Sequence, residues 1–157
     1  PAAMHSFYLR NMYQRNLLSK PGGITLLDTP IDLGRITVPT FMLSSREDHI
    51  VPWKSAYHSR GILGGETTFV MGASGHIAGV VNPPAAAKRS HWRNESPVAT
   101  AEEWLAGATE HRGSWWPHWV EWLRRHAGEL RKAPKQPGSR RHKPIEAAPG
   151  RYVKEKA

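Results

Sequence analysis

The chain of 157 residues contains no cysteine. That excludes disulfides and thiolate-ligated zinc, and it removes every thiol nucleophile from this stretch of polypeptide. No run approaches the ~20 consecutive apolar residues that cross a bilayer. The opening Pro1-Ala2-Ala3-Met4 carries no cationic leader followed by an apolar core, and the expectation is a soluble, cytoplasmic protein. Acidic residues are scarce at one end. The segment Arg124 to Ala157 holds 11 of the 22 Lys and Arg but only 3 of the 13 Asp and Glu, so it carries +8 of the net charge of +9. The body is nearly neutral and the tail basic; such a tail either holds an anionic partner or stays solvated.

Two further absences narrow the function classes. Among 9 histidines there is no His-Glu-x-x-His pair. His111 and His118 stand seven apart and His118 and His126 eight, and neither spacing sets two rings on adjacent turns of one helical face as i, i+4 does. No metal site and no bound cofactor are expected. Five of the 7 tryptophans lie between Trp104 and Trp122. Interleaved with basic residues they invite a nucleic-acid reading, but their helical spacing suits a core or interface rather than an exposed stacking platform, so nucleic acid is not an expected partner.

What is there reads as alternating strands and helices. Met4 to Ser19 has near-helical apolar spacing and stops at Lys20-Pro21-Gly22-Gly23. Ile31 to Pro39 is a connector with alternating apolar residues. Thr40 to Ser45 and Thr67 to Met71 are short apolar runs of strand type, and between them Pro52 opens a helix that Gly64-Gly65 ends. Strand, helix and strand make a parallel α/β unit, with a right-handed crossover expected. A brief helix at Ile77 to Val81 is halted by Asn82-Pro83-Pro84. Ala101 to Thr109 and Trp115 to Leu130 look helical, the latter with Trp115, Trp119, Trp122 and Leu123 on one side. Residues 1–130 are expected to form a folded body and 131–157 a basic, extended tail, Pro-rich and without apolar period from Pro134 onward.

Each of the two strands runs into a loop that carries a chemically useful side chain. The first enters Arg46-Glu47-Asp48-His49-Ile50-Val51-Pro52-Trp53; the second enters Gly72-Ala73-Ser74-Gly75-His76-Ile77-Ala78-Gly79. Loops at the carboxyl ends of strands are where open α/β sheets gather their chemistry. Asp48 can orient an imidazole, cap the helix near Pro52, or face solvent, and four residues is too long a lead for a cap unless that helix starts early. His76 lies among Gly72, Gly75 and Gly79, small residues that let a loop turn tightly. Its ring either bonds to backbone or serves as a general base. The pair stands one strand-plus-helix unit apart in the order acid then histidine, as in α/β-hydrolases, where a nucleophile comes first. No nucleophile motif precedes them here. The expected fold class is therefore α/β, the C-terminal portion of an α/β-hydrolase fold that is incomplete without an upstream part.

At these residues the likeness becomes specific. Arg46 to Trp53, Gly72 to Pro84, Trp104-Leu105-Ala106-Gly107-Ala108 and Gly113-Ser114-Trp115-Trp116-Pro117 closely resemble the C-terminal third of class I polyhydroxyalkanoate synthases. The similarity runs from Tyr8-Leu9-Arg10-Asn11-Met12-Tyr13 to Pro149-Gly150-Arg151-Tyr152-Val153-Lys154. The resemblance implies an α/β-hydrolase-type domain with a cysteine on a Gly-x-Cys-x-Gly elbow, an aspartate and a histidine. It also implies an acyltransferase that takes (R)-3-hydroxyacyl-coenzyme A, forms an acyl-cysteine thioester, and extends a polyester with release of coenzyme A. By motif match Asp48 resembles the family's aspartate and His76 its histidine. His76 would deprotonate the cysteine, and Asp48 would orient His76 or help activate the incoming 3-hydroxyl. The elbow would lie upstream, so the chain alone is expected to be inactive. The implied partners are the acyl-coenzyme A, the growing polyester, the granule surface and a second copy in a homodimer. The other readings are a non-catalytic module that docks on a granule or protein through Trp115 to Trp122 and the tail, or a fragment of another α/β-hydrolase-type acyltransferase or hydrolase.

Overall fold

A computed structural model describes residues 1–96 and 98–156. The chain folds as two compact units, Pro1–His126 and Ala127–Ala157.

In the first unit, helix α1 (Ala2–Tyr8) winds on as a wider π-type turn over Leu9–Gln14. Asn16, in the left-handed region at φ 47°, breaks it before a single 3-10 turn at Leu17–Ser19. The helix expected from Met4 to Ser19 is thus shorter and interrupted, and none of its residues is buried. A two-residue hairpin follows where periodicity gives no sign of one, β1 (Thr25–Leu26) against β2 (Thr29–Pro30). Leu27 and Asp28 sit at φ 45° and 60° in its tip, the pair of positive φ angles that a tight hairpin demands.

The sheet that positions the site has four strands. Strand β3 (Thr40–Ser45) pairs parallel with β4 (Thr67–Gly72), in register from Thr40 opposite Thr67 to Ser45 opposite Gly72. Helix α2 (Trp53–Ser59), extended by a 3-10 turn at Arg60–Ile62, connects them. The expected strand-helix-strand unit is therefore present, its strands within a residue of their expected bounds. Beyond β4 the sheet turns antiparallel with β5 (Ser90–Arg93) and, after helix α3 (Ala101–Ala106), β6 (Thr109–Arg112), in the order β3-β4-β5-β6. Neither β5 nor β6 is signalled by the sequence. Their four-residue stretches, Ser-His-Trp-Arg and Thr-Glu-His-Arg, are polar and too short to show alternation. The helix expected from Ala101 to Thr109 ends instead at Gly107, and β6 takes over from Thr109.

Successive side chains of a strand face opposite ways, and β3 illustrates this. Met42 packs with the buried cluster of Tyr57, Phe69, Met71, Ala101 and Trp104, the face that α2 and α3 cover. Phe41 turns to the other face and meets Trp115 and Trp122, ring centroids 6.1 and 5.6 Å away, where α4 (Trp116–Arg124) lies. Within the first cluster Phe69 meets Tyr57 edge-on at 5.2 Å and Trp104 at 4.9 Å, the geometry that aromatic quadrupoles favour. Helix α4 ends about six residues before the Leu130 that periodicity suggests.

The second unit, Ala127–Ala157, holds turns and bends and one 3-10 turn at Tyr152–Lys154. Its side chains are almost all exposed, and Arg151 pairs with Glu146 at 3.3 Å. Among the described residues no helix is long and apolar enough to cross a membrane.

Candidate active site

The carboxyl ends of the two parallel strands lie side by side, so the loops that leave them are neighbours. They are also bonded to each other: Arg46 N donates to Gly72 O at 2.8 Å and Glu47 N to Ser74 O at 3.0 Å. This brings Asp48 and His76, 28 positions apart in the chain, to an Nδ1 to Oδ1 distance of 3.8 Å. The separation is slightly too long for a hydrogen bond.

Asp48 is the more fixed of the two, with a side chain 12% exposed against 38% for His76. Its Oδ1 accepts the backbone N–H groups of Ile50 at 2.8 Å and Val51 at 3.0 Å. The residue therefore closes its own turn, as aspartate commonly does, and does not cap α2, which begins beyond Pro52. The Val51 N–H bond holds the carboxyl below the usual carboxylate range; partial burial opposes it, and the Ile50 bond and the imidazoles of His76 and His49 add to the lowering. The carboxylate is accordingly anionic at neutral pH. His49 stands edge-on to His76 with ring centroids 5.3 Å apart.

The loop of His76 is a pair of overlapping hydrogen-bonded turns rather than the expected helix: Gly79 N donates to Gly75 O at 2.8 Å and Val81 N to Ile77 O at 2.8 Å. Gly79 is the glycine this turn requires. A Cβ there would lie 2.6 Å from Ala73 O and 2.9 Å from Gly75 O, and would collide with Ser45 Oγ. Gly75 differs, because its added Cβ would meet only Glu47 O at an ordinary 3.7 Å. Beneath the turn, Ser45 is 2% exposed and its hydroxyl has no partner among the described residues.

Trp115, which helical periodicity places simply on an aromatic face, and its neighbour Trp116 belong to this neighbourhood. The indole Nε1 of Trp115 donates to Gly79 O and Val80 O, both at 3.2 Å, and that of Trp116 donates to Val80 O at 3.0 Å. A cleft of about 520 Å³ lies elsewhere, lined by Arg60, Phe69, Arg93, Trp104 and His118 among others, and includes neither Asp48 nor His76. Among the described residues no group of three or more His, Asp and Glu could hold a metal ion.

An acid and a histidine on successive strand-end loops form the arrangement of the α/β-hydrolase class. No family model matches the chain. It is similar to the poly(3-hydroxyalkanoate) polymerase subunit PhaC of Cupriavidus necator, 54% identical over 157 residues, all of this chain and 27% of that protein. It is 45% identical over 157 residues to the subunit PhaC of Rhizobium meliloti, 25% of that protein. Against poly(3-hydroxyalkanoate) polymerase 1 of Ectopseudomonas oleovorans it is 39% identical over 156 residues, 99% of this chain and 28% of that protein. The chain thus spans about a quarter of the length of these relatives, and over its whole length it is similar to the C-terminal part of poly(3-hydroxyalkanoate) polymerases.

Proposed function

We propose that the chain is the C-terminal part of a polyester synthase. In this reading it supplies the general base and its orienting carboxylate to a cysteine carried by an upstream part. The observation that supports this most directly is the approach of His76 to Asp48, on neighbouring loops of a parallel strand pair. The polymerase activity for which the relatives are named gives the reaction class.

The steps follow from the side chains. Imidazole titrates near neutral pH and can both take and return a proton. His76 removes the thiol proton, the thiolate attacks the thioester carbonyl of (R)-3-hydroxyacyl-coenzyme A, and coenzyme A leaves as the thiol with that proton. The 3-hydroxyl of the next unit then attacks the enzyme-bound acyl group and gives its proton to His76, an ester bond forms and the cysteine sulfur is released. Asp48 takes the orienting role here. A carboxylate held below its usual range is a weak base, poorly suited to deprotonating an alcohol, yet well suited to holding Nδ1–H and stabilising the imidazolium. The 3.8 Å gap closes when substrate and nucleophile are in place, as apo contacts of this kind do. Granule association, a cytoplasmic location and a homodimer belong to the same proposal for the whole enzyme.

The test is expression of this chain alone and joined to the upstream part, with thiol release from (R)-3-hydroxybutyryl-coenzyme A followed in both. Activity in the joined protein only is expected. Release by the chain alone overturns the division of labour.

A further inference from the structure

The turn that carries His76 ends in a local conflict. Carbonyls in the last turn of a helical segment have no partner within it and need one from outside. If the winding continued, Gly79 O would take the N–H of residue 83 and Val80 O that of residue 84. Both positions are proline, Pro83 and Pro84, and proline has no N–H to give. The donors come instead from far along the chain: Trp115 Nε1 reaches Gly79 O and Val80 O at 3.2 Å, and Trp116 Nε1 reaches Val80 O at 3.0 Å. Asn82 N also donates to Val80 O at 3.2 Å, so the second lone pair of that carbonyl and the whole of Gly79 O fall to the indoles. Trp115 is 8% exposed and stacks on Phe41 of β3. Ser114 Oγ accepts from Trp116 N at 3.1 Å and so fixes the start of α4. The two indoles are thus anchored to the sheet and to a helix, and they hold the far end of the His76 turn by its backbone.

We infer that Trp115 and Trp116 are positioning residues for His76, their indole N–H groups standing in for the two that Pro83 and Pro84 cannot supply. This rests on the reading of His76 as the base. The prolines release the chain sharply after Asn82; the indoles hold what the prolines leave unbonded. The indole N–H groups are spent on the backbone carbonyls of Gly79 and Val80, so their effect on the reaction runs through imidazole placement.

The experiment uses the full-length protein and phenylalanine substitutions, which keep a ring and remove the donor. Trp116→Phe, at the half-buried position, is the first variant and Trp115→Phe the second. kcat should fall between about tenfold and a hundredfold, the range in which a displaced catalytic group costs rate, with KM for (R)-3-hydroxybutyryl-coenzyme A within about twofold. The acid limb of the kcat profile should move, and amide exchange should speed up in residues 76–82 while the peptides of α2 and β4 stay protected. His76→Ala, run alongside, separates the two failures. If His76→Ala stays active, the base assignment is wrong. If His76→Ala is dead while Trp116→Phe keeps wild-type kcat, pH profile and exchange in 76–82, the positioning role is overturned and the base assignment stands. Should Trp115→Phe fail to fold, the Trp116→Phe result decides.

Discussion

Nδ1 of His76 stands 3.8 Å from Oδ1 of Asp48, the same oxygen that the Ile50 and Val51 N–H groups hold. One atom therefore does two jobs, closing a turn and facing an imidazole, and substitution can separate them. Asparagine keeps an oxygen for the two backbone donors and loses the charge, whereas alanine loses both. Asp48→Asn in the full-length enzyme is expected to keep its melting temperature and lose between about a hundredfold and ten-thousandfold in turnover. Asp48→Ala is expected to lose turnover and melt lower as well. Thermal melts beside a thiol-release assay check this, and an active Asp48→Asn would remove the charge from the mechanism.

The glycines of the His76 loop give an unequal pair. Gly79→Ala places a methyl against Ala73 O and Ser45 Oγ, an overpacking of backbone that costs about 1–3 kcal/mol and displaces the turn. Gly75→Ala meets only Glu47 O at 3.7 Å and should change stability by less than about 1 kcal/mol. Denaturant melts with activity on the same samples check the contrast; equal damage from both would mean that the turn is packed differently.

Acid should weaken the protein in two stages. Burial first, and then the Arg93 charge, hold His111 and His118 below the ordinary imidazole value; burial likewise lowers His91, with the Gly113 carbonyl opposing. A depressed folded value means that the unfolded chain takes the proton first. The stabilisation is therefore complete above about pH 6.5 and is lost as pH falls toward the folded values. Asp48, Glu102 and Glu103 are lowered chiefly by hydrogen bonds, from Val51 N–H, Lys54 and Thr100 N–H respectively. Their share persists until the pH drops below about 4.5. Melting temperature followed from pH 8 to 3 should fall in both windows, and replacing His111 and His118 by asparagine, which still offers Arg93 an acceptor, should flatten the upper one.

Helix α3 carries Trp104 into the core and starts with a capping box, Thr100 Oγ1 accepting from Glu103 N at 3.2 Å and Glu103 accepting from Thr100 N at 3.1 Å. Thr100→Ala should cost about 1 kcal/mol, whereas Trp104→Ala should cost about 3–5 kcal/mol. Urea titrations monitored by circular dichroism measure both.

Strand β3, helix α2 and strand β4 are legible in the sequence because their signals are local: short apolar runs, a proline at a helix start and a glycine pair after it. Asp48 and His76 are legible for the same reason, each standing just past such a run. Strands β5 and β6 are not, because Ser90–Arg93 and Thr109–Arg112 owe their extended form to pairing with β4 and with one another rather than to their own composition. The second duty of Asp48, closing the 48–51 turn, looks in one dimension like a helix cap set too early, because the helix begins only after Pro52. The indole bonds to Gly79 and Val80 leave only a faint trace in the sequence, a proline pair in one loop and a tryptophan pair far along the chain.

The base assignment of His76 is tested most directly by thiol release from (R)-3-hydroxybutyryl-coenzyme A in the full-length enzyme carrying His76→Ala, with folding verified by its melt. The account predicts a well-folded protein whose turnover is lost by about ten-thousandfold. Turnover within a few-fold of wild type would contradict it.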